Sequence, residues 1–138
     1  MHRYTVRVRY ADTDQMGVAY HANYLRWFEV GRAELLRSLG TSYREVEASG
    51  LALPVVEARC RYLRPARYDD LLAIETAVAR LGRASVTFAY RIVREPDGDL
   101  LAHGTTEHCF LDHEGRPSRP PAALAELLAR APRATPGP

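Results

Sequence analysis

Lysine is missing altogether: all 19 basic residues of this 138-residue chain are arginine, set against 17 acidic residues for a formal charge of +2. So small an excess, with arginines and acids interleaved, forms no basic block for gripping a nucleic acid. Cysteine occurs only at positions 60 and 109, in neither a C-x-x-C nor a paired Cys/His spacing, which removes a zinc ribbon and a disulfide framework from consideration. No apolar run approaches the roughly 18 residues that a membrane span requires. No secretory signal is read ahead of the first strand, so the expectation is a soluble protein of a reducing cytoplasm. What is present is ordinary for a globular domain, with 46% hydrophobic and 26% charged residues. A chain of this length buries roughly two-thirds of its unfolded surface around one core, without help from disulfides or metal.

Amides are nearly absent too, and the few that exist are not scattered. The only glutamine (Gln15), the only asparagine (Asn23), the only internal methionine (Met16) and the only tryptophan (Trp27) all fall within "RYADTDQMGVAYHANYLRWFE", Arg9 to Glu29. Rare side chains gathered in one segment mark it as the place where chemistry constrains the sequence.

The rest of the chain supplies a scaffold. Tyr4 to Tyr10 alternate Val6, Val8 and Tyr10 against Arg7 and Arg9, the period-two pattern of a half-buried strand. From Asn23 to Leu39 the period lengthens: Tyr24, Trp27, Phe28, Gly31, Leu35 and Leu39 form one apolar stripe, while Arg26, Glu29, Arg32 and Arg37 take the other face. Gly31 on that stripe predicts close contact with a sheet. Strands are expected over Leu53–Leu63, Leu71–Leu81, Arg83–Arg94 and Leu100–Asp112, separated by turn signals. One strand, one long helix and four strands in succession describe an α+β fold, with an antiparallel sheet around one helix. The segments Tyr43–Ala48 and Ala122–Arg130 read as small additions, residues 1–131 as one domain, and 132–138 as a loose tail.

Within the rare-residue segment, Asp12 and Asp14 stand two apart, and Gly17 permits a turn and the close approach of a ligand. His21 arrives as the helix begins, where backbone N–H groups lack internal partners and favour an anion or a polarised carbonyl oxygen. A carboxylate facing such donors forms an acyl-transfer site. Plainer roles compete: Asp12 as a turn former, Asn23 as a helix cap, His21 as a helix-start residue. The calcium-loop pattern is broken by Met16 and Asn23 at ligand positions. A Zn²⁺ or Fe²⁺ site would need Asp14, His21 and one of His103, His108 or His113, for which no compact motif speaks.

The stretch "YADTDQMGVAYHANYLRWFEVGRAELLRSLG", Tyr10 to Gly40, resembles the signature of the hotdog-fold acyl-CoA thioesterases of the 4-hydroxybenzoyl-CoA thioesterase group, especially their bacterial Tol-Pal-associated branch. The resemblance continues through "RYLRPARYDDLL" and "LGRAS" to "FLDHEGRP". It implies a hotdog fold, a five-stranded antiparallel sheet wrapped around one long central helix, paired into a homodimer with active sites at the interface and, in many relatives, into tetramers. It implies a catalytic carboxylate at Asp14, either nucleophile or general base, and a carbonyl-polarising helix-start amide at His21, whose ring also takes part. Gly17, Tyr20 and Asn23 would border the substrate, and Arg83, or alternatively Arg61 or Arg64, the phosphates of coenzyme A. No metal and no cofactor are implied, coenzyme A being part of the substrate. Ala22 stands where hydroxybenzoyl-specific members carry proline, which turns the expectation away from aromatic acyl groups. An acyl carrier protein thioesterase and a non-catalytic acyl-thioester-binding protein are the alternatives.

Overall fold

The computed structural model describes residues 1–134. Its strands are β1 (His2–Arg7), β2 (Val55–Tyr62), β3 (Leu71–Leu81), β4 (Ser85–Glu95) and β5 (Asp99–Cys109); its helices are α1 (Asn23–Ser38), α2 (Tyr43–Ala48) and α3 (Ala122–Arg130). The strands form one antiparallel sheet in the order β1-β3-β4-β5-β2. Consecutive β3, β4 and β5 make its centre, each bonded on both sides, and β1 and β2 are its edges.

The helix α1 packs against the sheet chiefly at β3. Gly31 makes this possible, since a Cβ there would lie 2.6 Å from Ile74 Cγ2 and collide with Thr76 Oγ1. With the backbone so close, Phe28 stacks on Tyr90 of β4, ring centroids 4.3 Å apart and planes within 6°. Phe28, Phe88, Leu35, Ile74 and Ile92 are fully buried, and each such side chain contributes about 2 kcal/mol of transfer free energy.

Four sequence expectations need correcting. Tyr10 does not extend β1. The strand stops at Arg7, the chain tightens into a 3₁₀ turn over Tyr10–Asp12, and Tyr10 is exposed while Val8 is buried. Arg32, assigned to the solvent face of α1, is buried, because its Nε donates to the Tyr43 hydroxyl and its Nη1 to the Tyr90 hydroxyl at 3.1 Å. The helix α1, with 16 residues, is not alone: α3 is a second helix of nine residues that buries Leu124 and Leu128. Finally, the segment read as a loose tail is tied down at its start, where Val78 N–H donates to Pro132 O at 2.8 Å and Ala134 N–H to Val78 O at 3.1 Å. Positions 135–138 of that tail lie outside the described residues.

Candidate active site

The loop between β1 and α1 is built on Asp12. Its buried carboxylate accepts the Arg9 backbone N–H at 2.8 Å and Arg9 Nη2 at 2.9 Å, closing the 3₁₀ turn. Burial pushes this carboxyl up, but the hydrogen bonds and charge of Arg9 outweigh burial and hold it below the ordinary carboxylate range. The Asp12 carbonyl in turn accepts Tyr20 N–H and Asn23 Nδ2, both at 2.8 Å, so the two ends of the loop are stapled together. Between them the chain doubles back: Thr13 bridges Ala19, Asp14 N–H donates to Val18 O at 2.9 Å, and Gly17 takes φ +78° to make the reversal. Ala19 N–H donates to Ala66 O at 2.8 Å and fastens the loop to the segment following β2.

Asp14 sits at the mouth of this reversal. Its Oδ1 accepts Met16 N–H at 2.9 Å, and among the described residues its other oxygen has no protein partner. The carboxylate is therefore oriented but still free to receive a proton or meet a carbonyl carbon.

The start of α1, which no side chain caps among the described residues, borders the same cleft at His21. Asn23 N–H donates to Tyr20 O at 2.9 Å and Tyr24 N–H to His21 O at 3.2 Å, whereas the His21 and Ala22 amides donate to no protein acceptor among the described residues. They are the unspent donors that every helix start leaves, here on exposed residues. The facing wall comes from the end of β2 and the turn after it. Tyr62 donates its hydroxyl to His21 O at 2.9 Å, and Tyr24, buried below, accepts Ala66 N–H at 3.1 Å. Asp14, Met16, Val18, Ala19, His21 and Tyr24 on one side and Tyr62, Leu63, Arg64 and Pro65 on the other enclose a cleft of about 270 Å³. Mostly apolar walls, one open carboxylate and free amides can hold a neutral carbonyl and stabilise charge developing on its oxygen.

The structure thus brings Asp14, His21 and, on the rim, Arg64 into one cleft and separates the other predicted residues from it. Gly17 makes the turn beside the cleft without lining it. Tyr20 is exposed, its ring 4.6 Å from that of His21. Asn23 is neither cap nor wall: it is buried, with Nδ2 on Asp12 O and Oδ1 accepting from Arg26. Arg83 lies in a different recess, with Gly82, Arg119 and Pro120. Of its alternatives, Arg64 is on the cleft rim, paired with Asp99 at 3.2 Å, and Arg61 opens into a third recess of about 420 Å³ with Arg59, Arg80 and His103. The histidines offered as partners for a metal lie elsewhere. His103 lines that third recess, His113 is on an exposed turn, and His108 is buried with both ring nitrogens bonded, to Leu53 O and Thr106 Oγ1. Tyr62, Leu63 and Pro65 were not singled out from sequence. Alternation with Cys60 puts Tyr62 on the helix-facing side of its strand, but nothing local ties it to His21, 41 residues away.

Residues 8–129 match the family model of the Thioesterase-like superfamily, and the chain belongs to that family. Among curated proteins it is similar to the putative acyl-CoA thioesterase YneP of Bacillus subtilis, 38% identical over 109 residues that span 79% of this chain and 78% of that protein. It is also similar to the acyl-CoA thioester hydrolase YbgC of Escherichia coli, 41% identical over 91 residues, 66% of this chain and 68% of the relative. Among solved structures, a hypothetical protein of Aquifex aeolicus superposes with a TM-score of 0.88 at 33% identity, over 93% of this chain and 99% of that one.

Proposed function

We propose that this thioester hydrolase cleaves acyl-CoA, with the thioester carbonyl held between Asp14 and the start of α1. The observation that carries the reading is the open carboxylate of Asp14 sharing one cleft with His21, whose amide, like that of Ala22 next to it, has no protein acceptor among the described residues. As general base, Asp14 takes a proton from water while the water oxygen bonds to the carbonyl carbon. The carbonyl oxygen becomes an oxyanion bonded to the helix-start N–H groups, and the C–S bond then breaks, the sulfur leaving as thiolate or, on protonation, thiol. As nucleophile, Asp14 would bond to that carbon itself and water would hydrolyse the anhydride. Single-turnover hydrolysis in ¹⁸O-water detects the nucleophilic route where water opens the anhydride at the Asp14 carboxyl carbon, because an unlabelled Asp14 oxygen then stays in the first acid formed. The His21 ring, beside the same cleft, is assigned a contact to the substrate, and Tyr20 and Gly17 shape its entrance.

Arg64, on the rim, is better placed for the coenzyme A phosphates than Arg83. The absence of proline at Ala22 favours aliphatic acyl groups, and the Tyr20–His21 pair supports the reading of a Tol-Pal-associated member of the 4-hydroxybenzoyl-CoA thioesterase group. A second copy completes the site. Edge strand β2 is exposed along nearly its whole length, with Val55 49% and Val56 57% accessible, and it ends in the cleft wall at Tyr62. Such an edge is a template for pairing, so a dimer through β2, associating further into a tetramer, is the expected assembly. Among the described residues no helix is long and apolar enough to cross a membrane, and the free thiols of Cys60 and Cys109 suit the cytoplasm.

The deciding experiment follows thiol release from a panel of acyl-CoAs by the wild-type and Asp14→Asn proteins. Hydrolysis at the wild-type rate by the variant would sink the role of Asp14. The basic recess of Arg59, Arg61, Arg80 and His103 supports a second reading, an acidic acyl carrier protein as thiol carrier. Failure of free coenzyme A to inhibit competitively would favour that reading.

A further inference from the structure

The carbonyl of His21 accepts two hydrogen bonds. One, from Tyr24 N–H at 3.2 Å, belongs to the turn that leads into the helix. The other, from the Tyr62 hydroxyl at 2.9 Å, is not supplied by helix geometry and comes from the edge strand. The Tyr62 ring is held for this task, edge-on to Tyr24 at 4.9 Å and to the His21 ring at 6.2 Å. Burial, with the Cys60 thiol beside it, pushes the Tyr62 hydroxyl up to about 12, so it remains a donor at neutral pH.

A carbonyl that accepts a hydrogen bond draws electron density from the nitrogen of the same peptide and makes its N–H a stronger donor. The peptide here joins His21 to Ala22, and its N–H is one of the two amides without a protein acceptor among the described residues. The preceding peptide is held as well, since Tyr20 O accepts Asn23 N–H at 2.9 Å. Both peptides flanking His21 therefore have their planes set before any substrate arrives, and preset donors cost no reorganisation when charge develops.

We propose that Tyr62 is a positioning residue of the hydrolase, its hydroxyl locking and polarising the His21–Ala22 peptide so that the amides at the start of α1 are already aimed at the thioester oxygen. This rests on the cleft being the site of hydrolysis, as argued above. Tyr62→Phe keeps the ring and removes only the O–H. A fall in kcat of about tenfold is expected, smaller than the loss of a whole oxyanion donor, with KM within about twofold of wild type. The thermal midpoint is expected to hold, and the Ala22 amide resonance in ¹⁵N-labelled protein to move upfield. Tyr62→Leu, which also removes the ring, raises KM in addition. A Tyr62→Phe protein with wild-type kcat, or an Ala22 resonance that does not move, overturns the inference. Asp14→Asn run alongside keeps the two readings apart. An inactive Asp14 variant with a fully active Tyr62→Phe protein removes Tyr62 alone, whereas an active Asp14 variant, or a wild type inert on every acyl-CoA, removes the reading of the cleft and Tyr62 with it.

Discussion

Two groups of polar side chains border α1, and they are finished in opposite ways. Behind the helix, between it and the sheet, a chain of hydrogen bonds runs from Tyr43 through Arg32 and Tyr90 to Thr106, His108 and the carbonyl of Leu53. Every member is buried or half-buried and bonded to the next, and among the described residues no carboxylate pairs with Arg32. Burial pushes the Tyr43 hydroxyl up to about 12 and the His108 imidazole down to about 4, so both stay neutral in the core. At the helix start the pattern is reversed: among the described residues Asp14 keeps one oxygen unbonded, and two backbone amides have no acceptor. A polar network closed on itself rigidifies a core. One left open beside a cleft has its remaining bonds to give to a substrate.

The sharpest way to break this contrast is at Asp14. Asp14→Asn is expected to lower kcat by about 10²- to 10⁴-fold, the range for losing a positioned base, with the thermal midpoint unchanged; unfolding at a much lower temperature would move Asp14 to the structural group. His108 should behave in the opposite sense. Its folded-state value of about 4 lies below the ordinary 6.5, so its contribution to stability is complete above pH 6.5 and is lost as pH falls toward 4. The unfolded chain binds the proton first, and the loss reaches about 3 kcal/mol. Urea unfolding from pH 7.5 to 4.5 tests this, and His108→Gln should flatten the curve. Tyr90→Phe, which takes one partner each from Arg32 and Thr106, should cost about 2 kcal/mol of stability and leave kcat unchanged. The smallest effect is expected at Asp12. Asp12→Asn should lower the thermal midpoint by a few degrees while preserving most of kcat, so that two aspartates two positions apart fail in different assays. Equal losses of activity in both would erase the distinction between them.

The elements with one clear period were legible from their residues. Alternation announced β4, and the three-and-four spacing announced α1, because each repeat is the direct consequence of burying one face. Gly31 foretold the close approach to the sheet. The course of Tyr10 and the burial of Arg32 were not legible. The first depends on a turn that the Arg9–Asp12 pair imposes, and the second on hydroxyls contributed by Tyr43 and Tyr90 from other elements. In the candidate site, Asp14 and His21 could be read because both lie in one unusual stretch. Tyr62 could not, since the strand that carries it reaches the cleft only after β2 has paired with β5 and the chain has returned beneath Tyr24.

Residue order alone therefore determined which short segment carries Asp14 and His21 and which faces are apolar, since both follow from the identities of near neighbours. The wall that closes the cleft, the tyrosine that holds the helix-start peptide and the amides left without acceptors were decided by tertiary structure. Each is a meeting of segments far apart in the chain, and such meetings are set by the packing of the whole core.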